Sequence, residues 1–248
     1  MEFKPCAVIP IFRHADAVRP VIQKLLAQNL PIILVDDGNS AEELQILQKI
    51  AYSDSRISLI SLAKNGGKGA AVCAGLREAY RTGYSHALQI DADGQHNPEA
   101  IPFFLKASQK HLDCLVGGFP QYDDSAPKGR KIGRKITNFW VSIETLSFAV
   151  PDAMCGFRVY PLWLTEPILK QIQTFRMGFD IEILVRLSWA GVRMYFYPIQ
   201  VIYPKDGVSN FRMWRDNVEI SRLHTRLCFG MLLRLPKLLK RKSARGKK

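Results

Sequence analysis

Apolar positions along the first 120 residues fall into two alternating patterns. Continuous apolar runs at 6–11, 32–35, 57–62, 87–90 and 114–117 have the length of strands buried on both faces. Between them, residues 15–28, 41–51, 70–80 and 98–110 place apolar side chains at helical spacing, as at Leu44, Leu47 and Ile50. Strands that do not alternate polar with apolar residues, separated by helices, predict an α/β fold with a largely parallel sheet covered on both faces. In such sheets ligands bind beyond the carboxyl ends of the strands. The loops at 10–14, 36–40, 63–68 and 91–96 are expected on that edge.

After residue 120 the pattern changes. Residues 122–130 are polar, with Gly and Pro, and predict a loop; 132–149 predict a helix. Strands are expected at 155–160 and 192–202, with helices at 162–173 and 179–190 between them. Residues 211–239 read as one long helix interrupted at Pro236. There is no internal repeat. The expected organisation is a single domain over 1–225, in two halves at 1–120 and 121–225. A basic amphipathic extension would follow at 226–248.

Composition narrows the class. At 248 residues and 47% hydrophobic, the chain can bury a sizeable core. With 23% charged residues it is neither a wholly disordered chain nor a multispan membrane protein. The formal charge is +13, and two acid-free segments hold nearly all of it. Lys128, Arg130, Lys131, Arg134 and Lys135 supply five charges; Lys237, Lys240, Arg241, Lys242, Arg245, Lys247 and Lys248 supply seven. Local basicity asks for a local acidic partner. Cys6, Cys73, Cys114, Cys155 and Cys228 are scattered, with no CxxC pair, and predict a reduced chain without structural zinc. The first residues run straight into a strand pattern, so no signal peptide is expected, and no stretch approaches the roughly 20 apolar residues of a membrane span.

The chemistry concentrates in Asp91-Ala92-Asp93, two carboxylates just past a buried strand. Such a pair can address a hard divalent ion that completes its shell with water and phosphate oxygens; the bland alternative is an Asp-rich turn. Asp36-Asp37-Gly38 is either a ligand-facing strand end or a turn with a helix cap. Lys68 follows two glycines at a helix start, where anions are favoured. Arg158 could fork onto phosphate or hold a structural carboxylate.

In order along the chain stand Val8-Ile9-Pro10, Leu34-Val35-Asp36-Asp37-Gly38-Asn39-Ser40, Asn65-Gly66-Gly67-Lys68-Gly69, Asp91-Ala92-Asp93-Gly94-Gln95-His96, Cys155-Gly156-Phe157-Arg158 and Gly178-Phe179-Asp180-Ile181-Glu182. This ordered set resembles the family 2 glycosyltransferases of the GT-A fold, in particular the dolichyl- or polyprenyl-phosphate mannose synthase branch, over roughly residues 5 to 210. The resemblance implies a nucleotide-sugar site lined by Pro10, Phe12, Asp36, Asp37, Lys68, Asp91, Ala92, Asp93, Gln95 and Arg158. It implies Mg²⁺ or Mn²⁺ on Asp91 and Asp93. The sequence departs from the family at Phe12-Arg13, where Tyr-Asn is usual, so a specific base or ribose contact there does not carry over. It also lacks the transmembrane helices of some relatives.

Asp180 aligns with the family's acidic motif and is the first candidate for a general base, with Glu182 and Asp152 as further candidates. Asp180 and Glu182, about 200° apart on a helix, cannot share a face. A lipid phosphate acceptor, already an anion, would need little or no base.

The expected function is metal-dependent, inverting transfer of a sugar from a UDP- or GDP-sugar to a lipid-linked or membrane acceptor. A soluble glycan acceptor, a sugar nucleotidyltransferase and a non-enzymatic scaffold are the alternatives. In the tail, leucines interleave with lysines and arginines. That predicts contact with an anionic membrane surface, ahead of a helix docked on the domain; no nucleic-acid partner is expected. Peripheral attachment on the cytoplasmic face follows.

Overall fold

The computed structural model describes residues 2–13, 15–122, 128–201 and 213–245. Expectations that fall on 123–127, 202–212 and 246–248 lie outside the described residues.

Seven strands form one sheet: β1 (Pro5–Ile11), β2 (Ile32–Asp36), β3 (Ile57–Ser61), β4 (His86–Gln89), β5 (Cys114–Tyr122), β6 (Arg158–Pro161) and β7 (Arg193–Val201). Their order is β3-β2-β1-β4-β6-β5-β7, and only β6 runs antiparallel to its neighbours. The sheet is therefore mostly parallel, and β1, β2, β4 and β5 all end at one edge. The helices are α1 (Arg19–Ala27), α2 (Ala41–Tyr52), α3 (Lys68–Arg81), α4 (Ile101–Lys110), α5 (Lys128–Thr145), α6 (Leu162–Leu169), α7 (Phe179–Ala190), α8 (Met213–Leu232) and α9 (Leu235–Arg245).

Successive strand residues face opposite sides of the sheet, which splits the core in two. Ile9 and Leu34 pack with Leu25, Leu47 and Phe104 of α1, α2 and α4. Val8 and Ile33 pack with Leu76, Phe179 and Leu223 of α3, α7 and α8. Gly75 lets α3 press onto the sheet: a Cβ there would lie 2.3 Å from Val8 Cγ1.

The elements differ from expectation in four places. The basic residues from 128 onward form the first turns of α5 rather than a loop. The strand expected at 155–160 pairs only from Arg158, because the three residues before it turn into the site described below. The long C-terminal helix breaks at Leu233 and Arg234, with Pro236 in the first turn of α9, where a missing N–H costs nothing. The expected boundary at 226 falls inside α8, whose Leu227 and Met231 are buried in the core. The described part of the basic extension is docked too. Leu238 is buried, and Arg241 donates to the Trp189 carbonyl at the carboxyl end of α7, where the helix dipole favours a cation. No described helix is long and apolar enough to cross a membrane.

Candidate active site

The end of β4, the start of α3, the approach to β6 and the first turn of α7 converge on the shared edge. Lys68 heads α3, held by glycines on either side. Its Nζ lies 2.9 Å from both carboxylate oxygens of Asp91 and 3.1 Å from Asp180 Oδ2. Gly156 makes this possible: a Cβ there would sit 2.6 Å from Lys68 Nζ and 2.9 Å from Asp91 Oδ2. Burial opposes the Lys68 charge, but the Asp180 and Asp91 carboxylates outweigh it and raise its pKa. Burial likewise works against the Asp91 charge, yet Lys68 holds that carboxyl below its usual value. Asp93 moves the other way, raised by burial and then by the charge of Asp91.

Arg158 lies beneath this cluster, fully buried, and does not present its fork to a ligand. Its Nη1 donates to the Asp180 carbonyl at 2.8 Å and to Tyr160 Oη at 3.3 Å, and its Nη2 to the Ala153 carbonyl at 2.9 Å. The phosphate contact expected for Arg158 is thus replaced by a positioning role: it fixes the first turn of α7. Two residues missed in the sequence share the work. Gln89 Nε2 donates to Asp180 Oδ1 at 3.2 Å and its Oε1 accepts from Tyr160 Oη at 3.0 Å. The available signal was Gln89 itself, a lone amide in a buried apolar strand, which must find partners.

A second cluster sits at the end of β2. Asp36 Oδ1 accepts from the Asn39 backbone at 2.9 Å and side chain at 2.7 Å, and Asn39 Nδ2 also donates to the Ile11 carbonyl at 2.9 Å. Asp37 accepts from the Gly66 and Gly67 amides at 2.7 and 3.0 Å and from Asn65 Nδ2 at 3.0 Å. Burial lifts the Asp37 pKa in spite of those two amides. Asp37 therefore anchors the loop that delivers Lys68. Pro10 pairs with Val35 at the end of β1, Phe12 follows it half-buried, Ala92 is buried, and the Gln95 amide donates to Asp93 Oδ1 at 3.0 Å.

The three acidic candidates separate. Asp180 joins the Lys68 cluster. Glu182 faces away from it, fully buried, accepting from the Gln173 and Thr174 amides at 3.1 and 2.8 Å and pairing with Arg186 and Arg226 at 2.7 and 3.3 Å. It is a structural acid, and a base role for it is withdrawn. Asp152 is paired with Arg134 of α5 at 2.7 Å and accepts from the Met154 amide at 2.9 Å, so it fastens α5 to the segment before β6.

The donor chemistry of Asp91 and Asp93 fits a hard divalent ion. Asp91 Oδ1 is buried and faces Lys68 Nζ at 2.9 Å. Among the described residues no three His, Cys, Asp or Glu side chains gather about one point. An ion here would complete its shell with diphosphate oxygens and water.

A mostly parallel sheet with an Asp-Ala-Asp site at the end of β4 defines a nucleotide-sugar transferase of the GT-A fold. The chain belongs to glycosyl transferase family 2, whose sequence model matches residues 6–177. It is similar to the UDP-N-acetylglucosamine–dolichyl-phosphate N-acetylglucosaminyltransferase of Methanococcus voltae, 24% identical over 212 residues that cover 79% of this chain and 84% of that protein. It is also similar to the polyprenol monophosphomannose synthase of Mycolicibacterium smegmatis, 25% identical over 203 residues, covering 78% of this chain and 74% of that one. Among solved structures, a mannosyltransferase from Pyrobaculum calidifontis in complex with GDP-Man and Mn²⁺ superposes with a TM-score of 0.56 at 14% identity, over 82% of this chain and 58% of that one. The chain is a glycosyltransferase; the first of these relatives is named for a dolichyl-phosphate acceptor and the second for a polyprenol monophosphomannose product.

Proposed function

We propose that the protein moves a sugar from a UDP- or GDP-sugar to a polyprenyl-type lipid phosphate, with a divalent ion on Asp91 and Asp93. The ion would neutralise the diphosphate leaving group. Asp36, Asp37 and Pro10 border the nucleotide, and Lys68 lies where it can turn from Asp91 to the diphosphate.

The observation that carries this reading is the engagement of Asp180. Lys68, Arg158 and Gln89 surround its carboxylate, which is 4% exposed. It holds Lys68 in place and is not aimed at an acceptor. A nucleophile that arrives ionised removes the need for a base: a phosphate oxygen attacks the anomeric carbon, the bond to the diphosphate oxygen breaks, and the nucleotide diphosphate leaves with the electron pair. No proton moves. The named lipid-phosphate relatives support the same acceptor. Peripheral attachment on the cytoplasmic face is supported by the five free thiols and by the basic residues of 237–248, whose exposed members would meet anionic lipid.

The test is transfer to a polyprenyl phosphate by Asp180→Asn, with folding checked by circular dichroism. Loss of a true proton acceptor costs about 10²–10⁴ in rate; a positioning acid should cost less than about tenfold and leave the pH profile unchanged. A loss beyond that range would return Asp180 to the role of base and favour a hydroxyl acceptor.

A further inference from the structure

We propose that Phe12 and Arg13 read the base of the donor nucleotide and select guanine over uracil, so that the sugar arrives on GDP. Sheet order fixes where the base lies. The diphosphate belongs beside Asp91 and Asp93, past the end of β4. Toward β6 that position is closed by Lys68, Asp180 and the first turn of α7. In the other direction stand the ends of β1 and then β2. Two strand spacings, about 10 Å in all, cover a ribose and bring the base to the loop after β1.

That loop is held in a strained form. Arg13 has a φ of 60°, a left-handed conformation uncommon outside glycine, asparagine and aspartate. Such strain persists only where the surroundings impose it, and it gathers at ligand sites. Asn39 imposes it here. Its Oδ1 accepts from the Arg13 amide at 2.7 Å, and its Nδ2 donates to the Ile11 carbonyl and Asp36 Oδ1 at 2.9 and 2.7 Å. The chain turns directly after β1, and the Arg13 guanidinium lies over the half-buried Phe12 ring, 5.0 Å from its centroid. Stacking steadies the guanidinium plane and leaves its N–H edge outward. Arg13 is exposed, and among the described residues no carboxylate pairs with it. Its fork is uncommitted.

The chemistry of the fork chooses the base. Arginine only donates, through a rigid planar set of N–H groups. It complements a base edge with two adjacent acceptors. Guanine offers O6 and N7 side by side, the pair onto which arginine forks in nucleic-acid recognition. Uracil offers the single carbonyl O4 with a C–H beside it, so one arm of the fork goes unmatched. Adenine sets an amino group where guanine has O6, and a donor there opposes a donor. The asparagine usual at this position has both a donor and an acceptor and makes no such choice. This deepens the nucleotide-sugar reading, on which it rests, by naming the donor base.

Isothermal titration calorimetry of the full chain with GDP, UDP and ADP, each with Mn²⁺, tests the idea without any acceptor. GDP should bind at least about tenfold more tightly than UDP or ADP. Arg13→Asn, whose side chain tolerates the same backbone conformation, should weaken GDP by about tenfold and leave UDP within about twofold. Arg13→Lys keeps the charge without the fork and should lose most of the preference for GDP. An equal loss of GDP and UDP in Arg13→Asn would mean a phosphate contact and overturns the base reading. So does an unmodified protein that binds UDP as tightly as GDP. Transfer to a polyprenyl phosphate separates this inference from the reading beneath it. Transfer from a UDP-sugar with no preference for GDP removes the guanine selection and leaves the proposed function standing. A preference for GDP that depends on Arg13, without transfer to a polyprenyl phosphate, removes the acceptor and leaves the guanine selection.

Discussion

Helices α2 and α5 both pack one face on the domain, but their outer faces differ. α2 starts at Ser40, which accepts from the Glu43 amide, and turns Glu42, Gln45, Gln48 and Lys49 to solvent. It is complete as a surface helix. α5 turns isoleucines and a phenylalanine outward, so burial in the domain accounts for only half of it. The contrast runs through the molecule. The first half places Asp91 and Asp93 beyond a strand end and Lys68 at a helix start; the second half adds Asp180 and its buried supports Arg158 and Tyr160. Chemistry and positioning should therefore fail separately when mutated.

The largest effect is expected at Asp93. Asp93→Asn should lower transfer by about a thousandfold or more, since a lost metal ligand forfeits several kcal/mol of charge stabilisation. Far-ultraviolet circular dichroism should be unchanged. Near-normal turnover at saturating Mn²⁺ would remove the metal site and much of the contrast.

Arg158 should act mainly on stability. Lysine keeps the charge but cannot reach the Asp180 and Ala153 carbonyls together. Arg158→Lys should lower the unfolding free energy by about 3 kcal/mol in urea titration. A loss of donor affinity with unchanged stability would restore the direct phosphate contact. Glu182→Gln leaves Arg186 and Arg226 under-compensated and should cost about 2 kcal/mol of stability. Turnover per folded molecule should stay near normal; a collapse of turnover without destabilisation would put Glu182 back among the catalytic acids.

The smallest effect concerns His86 on β4, far from the reacting edge. It is fully buried, and burial lowers its pKa below the ordinary 6.5. The unfolded chain therefore takes up the proton more readily than the folded one. Stability from this residue is complete above about pH 6.5 and declines as pH falls below it. Chemical denaturation across that range should show the slope, and His86→Gln should flatten it.

The sequence by itself determined the alternation of buried strands and helices, the edge on which the loops gather, and the set of acidic and basic residues placed there. These follow from local periodicity and from ordered motifs, which need no knowledge of long-range contacts. It could state that Asp180 and Glu182 diverge, because helix geometry alone separates them. Only the tertiary structure decided which of them meets Lys68, because that depends on how α7 packs against α3 and β6. It also turned Arg158 inward, made Gln89 and Tyr160 part of the support, and showed 128–135 as helix. The buried face of α5 carries Thr137, Glu144 and Thr145 beside Val141, so hydrophobic periodicity could not pick it out. The domain buries one face because Val141 and Glu144 find partners on α7 and α8, and this leaves Ile132, Ile136 and Phe139 facing outward.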